Sequence, residues 1–317
     1  MRKVEEGLKA RELSDATVKA YMSRLRLLNA GRAFSSFAFL KDIPAIDAII
    51  AKVKPNTQKN YYTAILGCTH DYKTKKTYKK TVEYYVRKFE TVSQSLRTEL
   101  DKNEKTETQL ENWIEWKEVI EIRDKLQAEV DAIDLSGSIL QTDYHLILRN
   151  VILALYTYIS PRRNKDYTLM KVAFCDFVND LPSTHNYYDI KKQRFIFNAY
   201  KTATTYGQQI VNIKDNAPLI KALNIYIKVH QIHKEIDGNY MYDLLTHFGG
   251  TPFEHEYDIT RNLNITFGKN IGPTMLRHIF ISDKFDIVQI KKENAEKEQI
   301  AHDMAHSTVV QQEYMKN

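Results

Sequence analysis

Three arginines of this chain lie where a guanidinium group could bind an anion. The segment PRRNKDY (161–167) follows an apolar helical stretch, and its proline ends the helix and turns Arg162 and Arg163 outward. In GPTMLRHIFIS (272–282), Arg277 falls among apolar side chains, where an unpaired guanidinium is costly. Arg277 therefore requires an anionic partner, either a carboxylate or a phosphate, whereas ordinary surface charge would also explain Arg162 and Arg163.

A lysine, a histidine and a tyrosine could supply proton transfer and a nucleophile. Lys201 stands in FNAYKTATTYG (197–207), where a strand enters a hairpin turn, so its ammonium group could reach a cleft or remain solvated. His306 and Tyr314 stand in the helix-like stretch IAHDMAHSTVVQQEY (300–314). Lysine and histidine can transfer protons, and a tyrosine hydroxyl can act as a nucleophile.

Metal and disulfide chemistry are not indicated by the sequence. His302 and His306 have the i, i+4 spacing of zinc-binding helices, but the sequence lacks the Glu of HExxH and a third ligand. Cys68 and Cys175 belong to no CxxC pair, which favours a reducing compartment over a disulfide framework. We therefore predict no bound metal and no cofactor.

The composition is that of a globular protein, with 317 residues, 43% hydrophobic and 27% charged. The net charge of +6 is uneven: residues 1–100 hold 20 Lys and Arg against 10 Asp and Glu, and the remainder holds 26 against 30. The most apolar stretch, VILALYTYI (151–159), is too short to span a bilayer, and the first residues lack the apolar segment of a signal peptide. We therefore predict an intracellular protein without a membrane partner, whose basic first third either meets a polyanion or forms a solvated surface.

Helical periodicity dominates the first third of the chain. Helices are predicted over residues 14–29, with Ser14 as the N-cap, over 36–53, over 54–72, with a cap near Asn56 or Thr57, and over 76–100. Four tyrosines interleave with the lysines of this region: Tyr61, Tyr62, Tyr72 and Tyr78. Five lysines that could neutralise DNA phosphates are called the lysine cluster below: Lys59, Lys75, Lys76, Lys79 and Lys80.

A polar segment, DKNEKTETQ (101–109), predicts a break between two domains. We predict a helical domain over residues 1–101, a linker over 102–110 and a second domain over 111–317. The second domain begins with helices over 111–133 and 142–159. Four strands follow within 171–213 (VAFCDF, YYDIKKQ, RFIFNAY and QQIVNI), with a tight connection at TATTYG, and helices resume from about Ala217. The predicted fold is mainly α with a small antiparallel β-sheet.

The order Arg, Lys, Arg, His, Tyr resembles the tyrosine recombinase (phage-integrase-like) family over the whole chain. ALYTYISPRRNKDY looks like its first arginine box; Arg163 with Asp166 fits the Arg-x-x-acid spacing best, and Arg162 is the competing assignment. YKTATTYG is similar to its β-hairpin lysine, MLRHIFIS to its second arginine box, and MAHSTVVQQEY to its last box. Divergent members from large DNA viruses, virophages and eukaryotic mobile elements are the most similar in character.

The resemblance implies a helical core-binding domain, a catalytic domain and five catalytic residues. Arg163 and Arg277 would clamp a phosphate, to which His306 would donate a further hydrogen bond. Lys201 would protonate the departing 5′-oxygen, and Tyr314 would attack phosphorus to give a 3′-phosphotyrosyl link. Arg162 and the lysine cluster would bind the DNA.

The resemblance implies that the chain binds double-stranded DNA and acts as a homotetramer on two DNA sites. It would act in the host cytoplasm or nucleus, or in a viral factory. No ATP and no metal are required.

One departure from the family pattern keeps two alternatives open. Thr274 stands where the family usually has a histidine, three residues before the second arginine, and a threonine can hydrogen-bond but cannot take over the proton handling of that histidine. The leading hypothesis is a site-specific recombinase or integrase. A topoisomerase IB-like or telomere-resolving strand transferase would use a similar residue set, and a DNA-binding protein that has lost catalysis is the third possibility.

Overall fold

The chain forms two compact units, residues 1–105 and residues 106–317, in a computed structural model. The structure describes residues 2–9, 11, 13–174, 181–230, 235–236 and 239–314. The division between Lys105 and Thr106 lies inside the segment predicted as a linker. That segment is partly helical, since one helix ends at Lys102 and the next begins at Glu107.

Unit 1 is helical throughout its described part. Its α-helices are α1 (Arg2–Lys9), α2 (Asp15–Leu28), α3 (Ile43–Ile50), α4 (Pro55–Cys68) and α5 (Lys79–Lys102), with 3-10 turns at Ala38–Lys41 and His70–Tyr72. The predicted N-cap is confirmed, because the Ser14 side chain accepts a hydrogen bond from the Thr17 amide. The cap predicted near Asn56 or Thr57 is wrong: α4 begins at Pro55, since a proline needs no amide donor in a first turn.

Unit 1 closes around a small aliphatic and aromatic core. Leu25, Ile65 and Tyr85 are fully buried, and the Tyr85 hydroxyl donates to the Leu40 carbonyl at 2.8 Å. α2 approaches α4 closely at Gly67, where a Cβ atom would stand 2.6 Å from the Tyr21 ring. Only glycine therefore allows this contact without a shift of the ring.

Unit 2 is mainly helical with a small sheet. Its α-helices are α6 (Glu107–Asn112), α7 (Trp116–Asp131), α8 (Gln141–Thr157), α9 (Lys165–Thr168), α10 (Ala203–Tyr206), α11 (Ala217–Val229), α12 (Glu256–Phe267), α13 (Pro273–Lys284), α14 (Ile287–Asp303) and α15 (Thr308–Tyr314). Its strands are β1 (Lys171–Ala173), β2 (Tyr187–Asp189), β3 (Arg194–Phe197), β4 (Gln209–Asn212), β5 (Glu235–Ile236) and β6 (Asn239–Asp243). The mainly α composition and the small sheet are therefore confirmed.

The sheet is mixed, with the order β4-β3-β2-β1-β6-β5. β1 pairs parallel with β2, with Val172 opposite Tyr188, so the prediction of a purely antiparallel sheet is wrong at this pair. The pairs β2–β3, β3–β4, β1–β6 and β5–β6 are antiparallel. Parallel pairing places β1 and β2 side by side without a hairpin between them, because a parallel connection must cross back along the sheet.

Two further predictions for unit 2 differ from the structure. The predicted return to helix from Ala217 omitted β5 and β6, which follow α11 and extend the sheet past β1. The predicted strand VAFCDF (172–177) is shorter, since β1 ends at Ala173 and residues 175–177 lie outside the described part.

The core of unit 2 is built around α8. Its residues Val151, Ile152 and Leu153 are all fully buried, which explains why this stretch is apolar on every face. The Tyr167 ring packs edge-on against Tyr156 and Phe197, so α8, the loop after it and the sheet share one core. Among the described residues, no helix combines the length and apolar character needed to cross a membrane.

Candidate active site

Arg277 carries a guanidinium group that is only partly satisfied inside unit 2. It lies on α13, which begins at Pro273 after the N-cap Gly272. Its NH2 group donates to the Thr274 hydroxyl at 3.2 Å, whereas its Nε is buried without a hydrogen-bond partner in the part of the chain that the structure describes. No carboxylate of the described residues pairs with Arg277. An unpaired buried donor is costly, so this group is suited to an anionic ligand.

The loop after α8 presents two adjacent arginines in different states. Arg162 is engaged: its Nε donates to Asp166 at 2.8 Å, its NH1 donates to Gln209 at 3.0 Å, and its guanidinium lies 3.7 Å from the Phe197 ring centroid. The Arg163 side chain is half-buried and makes no hydrogen bond or ion pair within the described residues. Of the two, Arg163 is therefore the one with an unengaged guanidinium.

Lys201 lies in the connection between β3 and β4, as predicted from its hairpin-like segment. Its side chain is exposed and has no partner among the described residues. The connection itself is ordered by internal bonds, because the Tyr200 hydroxyl donates to the Gly207 carbonyl at 2.7 Å and Gln208 donates to Asn198 at 2.7 Å. The one-turn helix α10 lies between these two braces. A free ammonium group thus stands on a fixed support.

His306 and Tyr314 are brought together by the break between α14 and α15. Ala305 adopts a left-handed conformation with φ 56°, and the His306 amide donates back to the Ala301 carbonyl at 3.0 Å. The two rings lie 5.6 Å apart between centroids, tilted by 35°. His306 Nε2 is buried without a partner in the described residues, and Tyr314 is 67% exposed. The tyrosine hydroxyl is thus accessible beside an imidazole with an unused ring nitrogen.

The Arg163 loop is tied to the start of α13 through α12. Asn164 donates to the Glu256 carbonyl at 2.7 Å and to the Thr260 hydroxyl at 2.9 Å. Thr260 in turn lies against Gly272, where a Cβ atom would stand 3.1 Å from its methyl group. The sequence did not single out Asn164 or Thr260, since nothing in their local pattern shows that they meet.

Electrostatics give a second link between the two arginine segments. Burial raises the pKa of Tyr156 well above its ordinary value, and the charges of Asp166 and Arg277 both act on this hydroxyl. Asp166 is itself buried, and burial raises the pKa of its carboxyl group against the opposing effect of Arg162. Asp166 and Arg277 therefore both lie near enough to this buried tyrosine for their charges to act on its hydroxyl.

A depression of about 520 Å³ opens beside these segments. Asn164, Thr274 and His278 line it, together with residues of α6 and α12. Thr274 and His278 are one helical turn apart on α13, so both face this space. No hydrogen bond, ion pair or ring contact within the described residues joins Lys201, His306 or Tyr314 to Arg277.

The lysine cluster of unit 1 is largely exposed. Lys75 lies 4.0 Å from the Tyr72 ring centroid, and none of the five lysines makes an ion pair within the described chain. The Tyr72 and Tyr78 rings pack edge-to-face near this surface, with 5.1 Å between their centroids. Tyr61 and Tyr62 are instead buried in the core of unit 1, at 8% and 4% exposure, so they do not interleave with the lysines at the surface.

Metal ligands do not cluster in the described part of the chain. No group of three His, Cys, Asp or Glu side chains is placed there to hold an ion. His302 is exposed and contacts Asp303, its neighbour in sequence. Cys68 is buried, and burial raises the pKa of its thiol to about 12, whereas Cys175 lies outside the described residues.

Comparison with known proteins gave no match: no family model, no curated protein and no solved structure is significantly similar to this chain.

Proposed function

We propose that this chain is a DNA strand transferase of the tyrosine recombinase type, acting as a site-specific recombinase or integrase on double-stranded DNA. The observation that carries the proposal is the buried Nε of Arg277, a cationic donor without an acceptor among the described residues. Arginine binds two phosphate oxygens at once and stays charged, so a phosphodiester is the ligand that suits it best.

The proposed reaction assigns one step to each side chain. The exposed Tyr314 hydroxyl gives its proton to solvent water as its oxygen attacks phosphorus, and the bond from phosphorus to the 5′-oxygen breaks. Arg163 and Arg277 stabilise the charge on the non-bridging oxygens, and His306 donates a further hydrogen bond. Lys201 gives a proton to the departing 5′-oxygen as general acid. A 5′-hydroxyl group then reverses the step, so the DNA is rejoined without ATP.

The assignment of Arg163 rather than Arg162 follows from their partners. Arg162 has its Nε, its NH1 and its ring face occupied by protein groups, whereas Arg163 has none of these contacts. Unit 1, with its exposed lysine cluster, then serves as the core-binding domain, and unit 2 as the catalytic domain. Assembly as a tetramer on two DNA sites, inside the cell, belongs to the same proposal.

Thr274 supports a narrower role than the histidine that the family usually has at this position. Its hydroxyl accepts a hydrogen bond from Arg277 and so orients the guanidinium. A topoisomerase IB-like or telomere-resolving enzyme is the second candidate, since it would use the same five residues but rejoin the same strand or seal a hairpin. A DNA-binding protein without catalysis is the third, and this threonine is the observation that favours it.

Covalent trapping on a denaturing gel tests the proposal. Nicked duplex fragments that tile a source element and its ends are mixed with wild-type protein, Tyr314→Phe and Tyr257→Phe. Tyr257 is a matched control, because it is 66% exposed and Tyr314 is 67% exposed. Wild type and Tyr257→Phe are expected to give a covalent band, and Tyr314→Phe none. Binding in a native gel without any trapped band would leave only the DNA-binding candidate, and religation of the same strand would favour the topoisomerase-like one.

A further inference from the structure

We infer that Arg162 is a positioning residue that holds the Lys201 connection against the loop that carries Arg163. The catalytic meaning of this inference rests on the proposed function. The structural part rests on the contacts of Arg162 alone, and it can be tested without DNA.

Arg162 contacts the base of the β3–β4 hairpin from one side. Phe197 and Gln209 are cross-strand partners, at the end of β3 and the start of β4. The Arg162 guanidinium lies 3.7 Å from the Phe197 ring centroid and donates through NH1 to Gln209 at 3.0 Å. It also lies 5.4 Å from the ring centroid of Tyr200, the residue before Lys201. One side chain therefore touches both strands and the connection between them.

Asp166 anchors Arg162 on the other side. The pair joins Arg162 Nε to Asp166 Oδ2 at 2.8 Å, with only 18% and 4% of the two side chains exposed. Such a buried pair holds its geometry, since breaking it leaves an uncompensated charge away from water. Arg162 is therefore fixed on the arginine loop before it reaches the hairpin.

Asn186 makes a second brace between the same two segments. Its amide nitrogen donates to the carbonyls of Asp166, at 2.9 Å, and Ala199, at 3.1 Å. Its amide oxygen accepts from the backbone of Asn198 and Ala199, both at 2.8 Å. The backbone of the first residues of the β3–β4 connection is thus tied to α9 through Asn186. The side-chain contacts of Arg162 therefore act on a segment that is already held near α9.

The contacts of Arg162 and Asn186 fix the distance between the segments that carry Arg163 and Lys201, the two charged groups that would act on DNA. Arg163 follows Arg162 directly, and Lys201 follows Tyr200 directly. Neither the Arg163 nor the Lys201 side chain makes a hydrogen bond or an ion pair within the described chain. A general acid displaced by about 1 Å can lose ~100-fold in rate. Lysine cannot replace Arg162 here, because it lacks the planar fork that stacks and donates at the same time.

Hydrogen–deuterium exchange of the full chain tests the structural part. In Arg162→Met, amides of residues 198–208 are expected to exchange at least ~10-fold faster than in wild type, with Arg162→Lys close to Arg162→Met. Amides of α11 serve as the internal reference and keep their rates. Lys201→Met is the matched control and leaves the exchange of the 198–208 amides unchanged, because the Lys201 side chain makes no hydrogen bond, ion pair or ring contact within the described residues. Unchanged exchange in Arg162→Met would overturn the inference, whatever the protein does to DNA.

A sulfur-substituted substrate tests whether Arg162 acts through Lys201. At the site found by trapping, the bridging 5′-oxygen is replaced by sulfur, whose thiolate leaves without a proton. Arg162→Met and Lys201→Met are both expected to cleave the oxygen substrate ~100-fold or more slowly and to recover most of this loss on the sulfur substrate. Arg163→Met is expected to remain slow on both.

An Arg162→Met variant that stays slow on the sulfur substrate, as Arg163→Met does, would show that Arg162 acts on the phosphate and would overturn the inference. If wild type is never trapped on any fragment, the proposed function fails, and the exchange experiment still decides whether Arg162 holds the hairpin.

Discussion

Replacing Arg277 by methionine tests whether this arginine serves to bind phosphate or to stabilise the fold. Methionine keeps the length of the apolar stem but removes the guanidinium group. The buried Nε has no acceptor in the described chain, and an unsatisfied buried donor costs ~1–3 kcal/mol. The variant loses the hydrogen bond to Thr274 at 3.2 Å, which contributes ~1 kcal/mol. The free energy of unfolding of unit 2 should therefore stay unchanged or rise by up to ~2 kcal/mol.

Arg194 is the matched control for this experiment. It donates to Asp189 at 2.9 Å, with 13% and 1% of the two side chains exposed. Arg194→Met leaves the Asp189 carboxylate buried and unpaired, which costs ~3–5 kcal/mol. In a domain of this size, 1 kcal/mol shifts the unfolding midpoint by ~2–4 °C. Thermal unfolding should thus show a lower Tm by more than ~6 °C for Arg194→Met and an equal or higher Tm for Arg277→Met.

The same Arg277→Met variant is then assayed for covalent trapping. Loss of one preorganised donor to the transition state reduces cleavage ~100- to 1,000-fold. The expected result is a protein at least as stable as wild type that no longer cleaves. If Arg277→Met lowers the Tm as much as Arg194→Met does, the guanidinium already has a structural partner and the reasoning is refuted. Full cleavage by a stable variant would remove Arg277 from the reaction.

Three further predictions concern packing, pH and salt. Gly67→Ala should lower the stability of unit 1 by ~1–3 kcal/mol in chemical unfolding, because its Cβ would meet the Tyr21 ring at 2.6 Å. Burial raises the pKa of Asp166 above its ordinary value of 3.8. The free energy of unfolding of wild type, relative to that of Asp166→Asn, should therefore be highest below pH 3.8 and decline as the pH rises through the pKa of Asp166 in the folded protein. Urea unfolding at several pH values measures this difference. Replacing two lysines of the lysine cluster by alanine should make the DNA association constant less dependent on salt. The slope of log K against log salt should become shallower by ~0.9 for each DNA phosphate that the variant no longer neutralises. DNA binding at several salt concentrations measures this slope.

Each of these predictions has a control and a contrary outcome. Gly137→Ala meets nothing within 4 Å and should be neutral, so equal effects of the two glycine variants would show that Tyr21 is not the cause. A pH-independent difference between wild type and Asp166→Asn would mean that the carboxyl group titrates as in the unfolded chain. Lys117 lies in unit 2, and its side chain is 87% exposed. Lys117→Ala should leave the slope of log K against log salt unchanged. An unchanged slope in the lysine-cluster variant would place the DNA elsewhere.

The sequence predicted most helices of unit 1 and the first four strands of unit 2, β1 to β4, because their signals are local. Apolar spacing reveals which face of a helix is buried, and Ser14 with Asp15 marks a helix start wherever the rest of the chain lies. The strands β3 and β4 are adjacent in sequence, so the hairpin that holds Lys201 could also be inferred. The parallel pairing of β1 with β2, and the addition of β6 beside β1, could not be inferred, since strand partners are chosen by packing across the whole unit.

Some features of the candidate site were likewise visible in the sequence, and others were not. Its residue types and their order along the chain were visible in the sequence, since an arginine within an apolar run and a lysine in a turn stand out locally. The different states of Arg162 and Arg163 were not visible, because neighbours in sequence differ only through the distant groups that they meet. Gln209 and Phe197 provide those groups for Arg162.

Local properties of the sequence therefore predicted the mainly helical composition and supplied the set of ionisable side chains. Each follows from periodicity, polarity or chemical type, which are properties of short segments. The tertiary contacts determine that Arg277 has a buried donor without a partner among the described residues and that Arg162 reaches Phe197 and Gln209. Burial and partnership depend on contacts between segments that are far apart in the chain, so they exist only once the unit has folded.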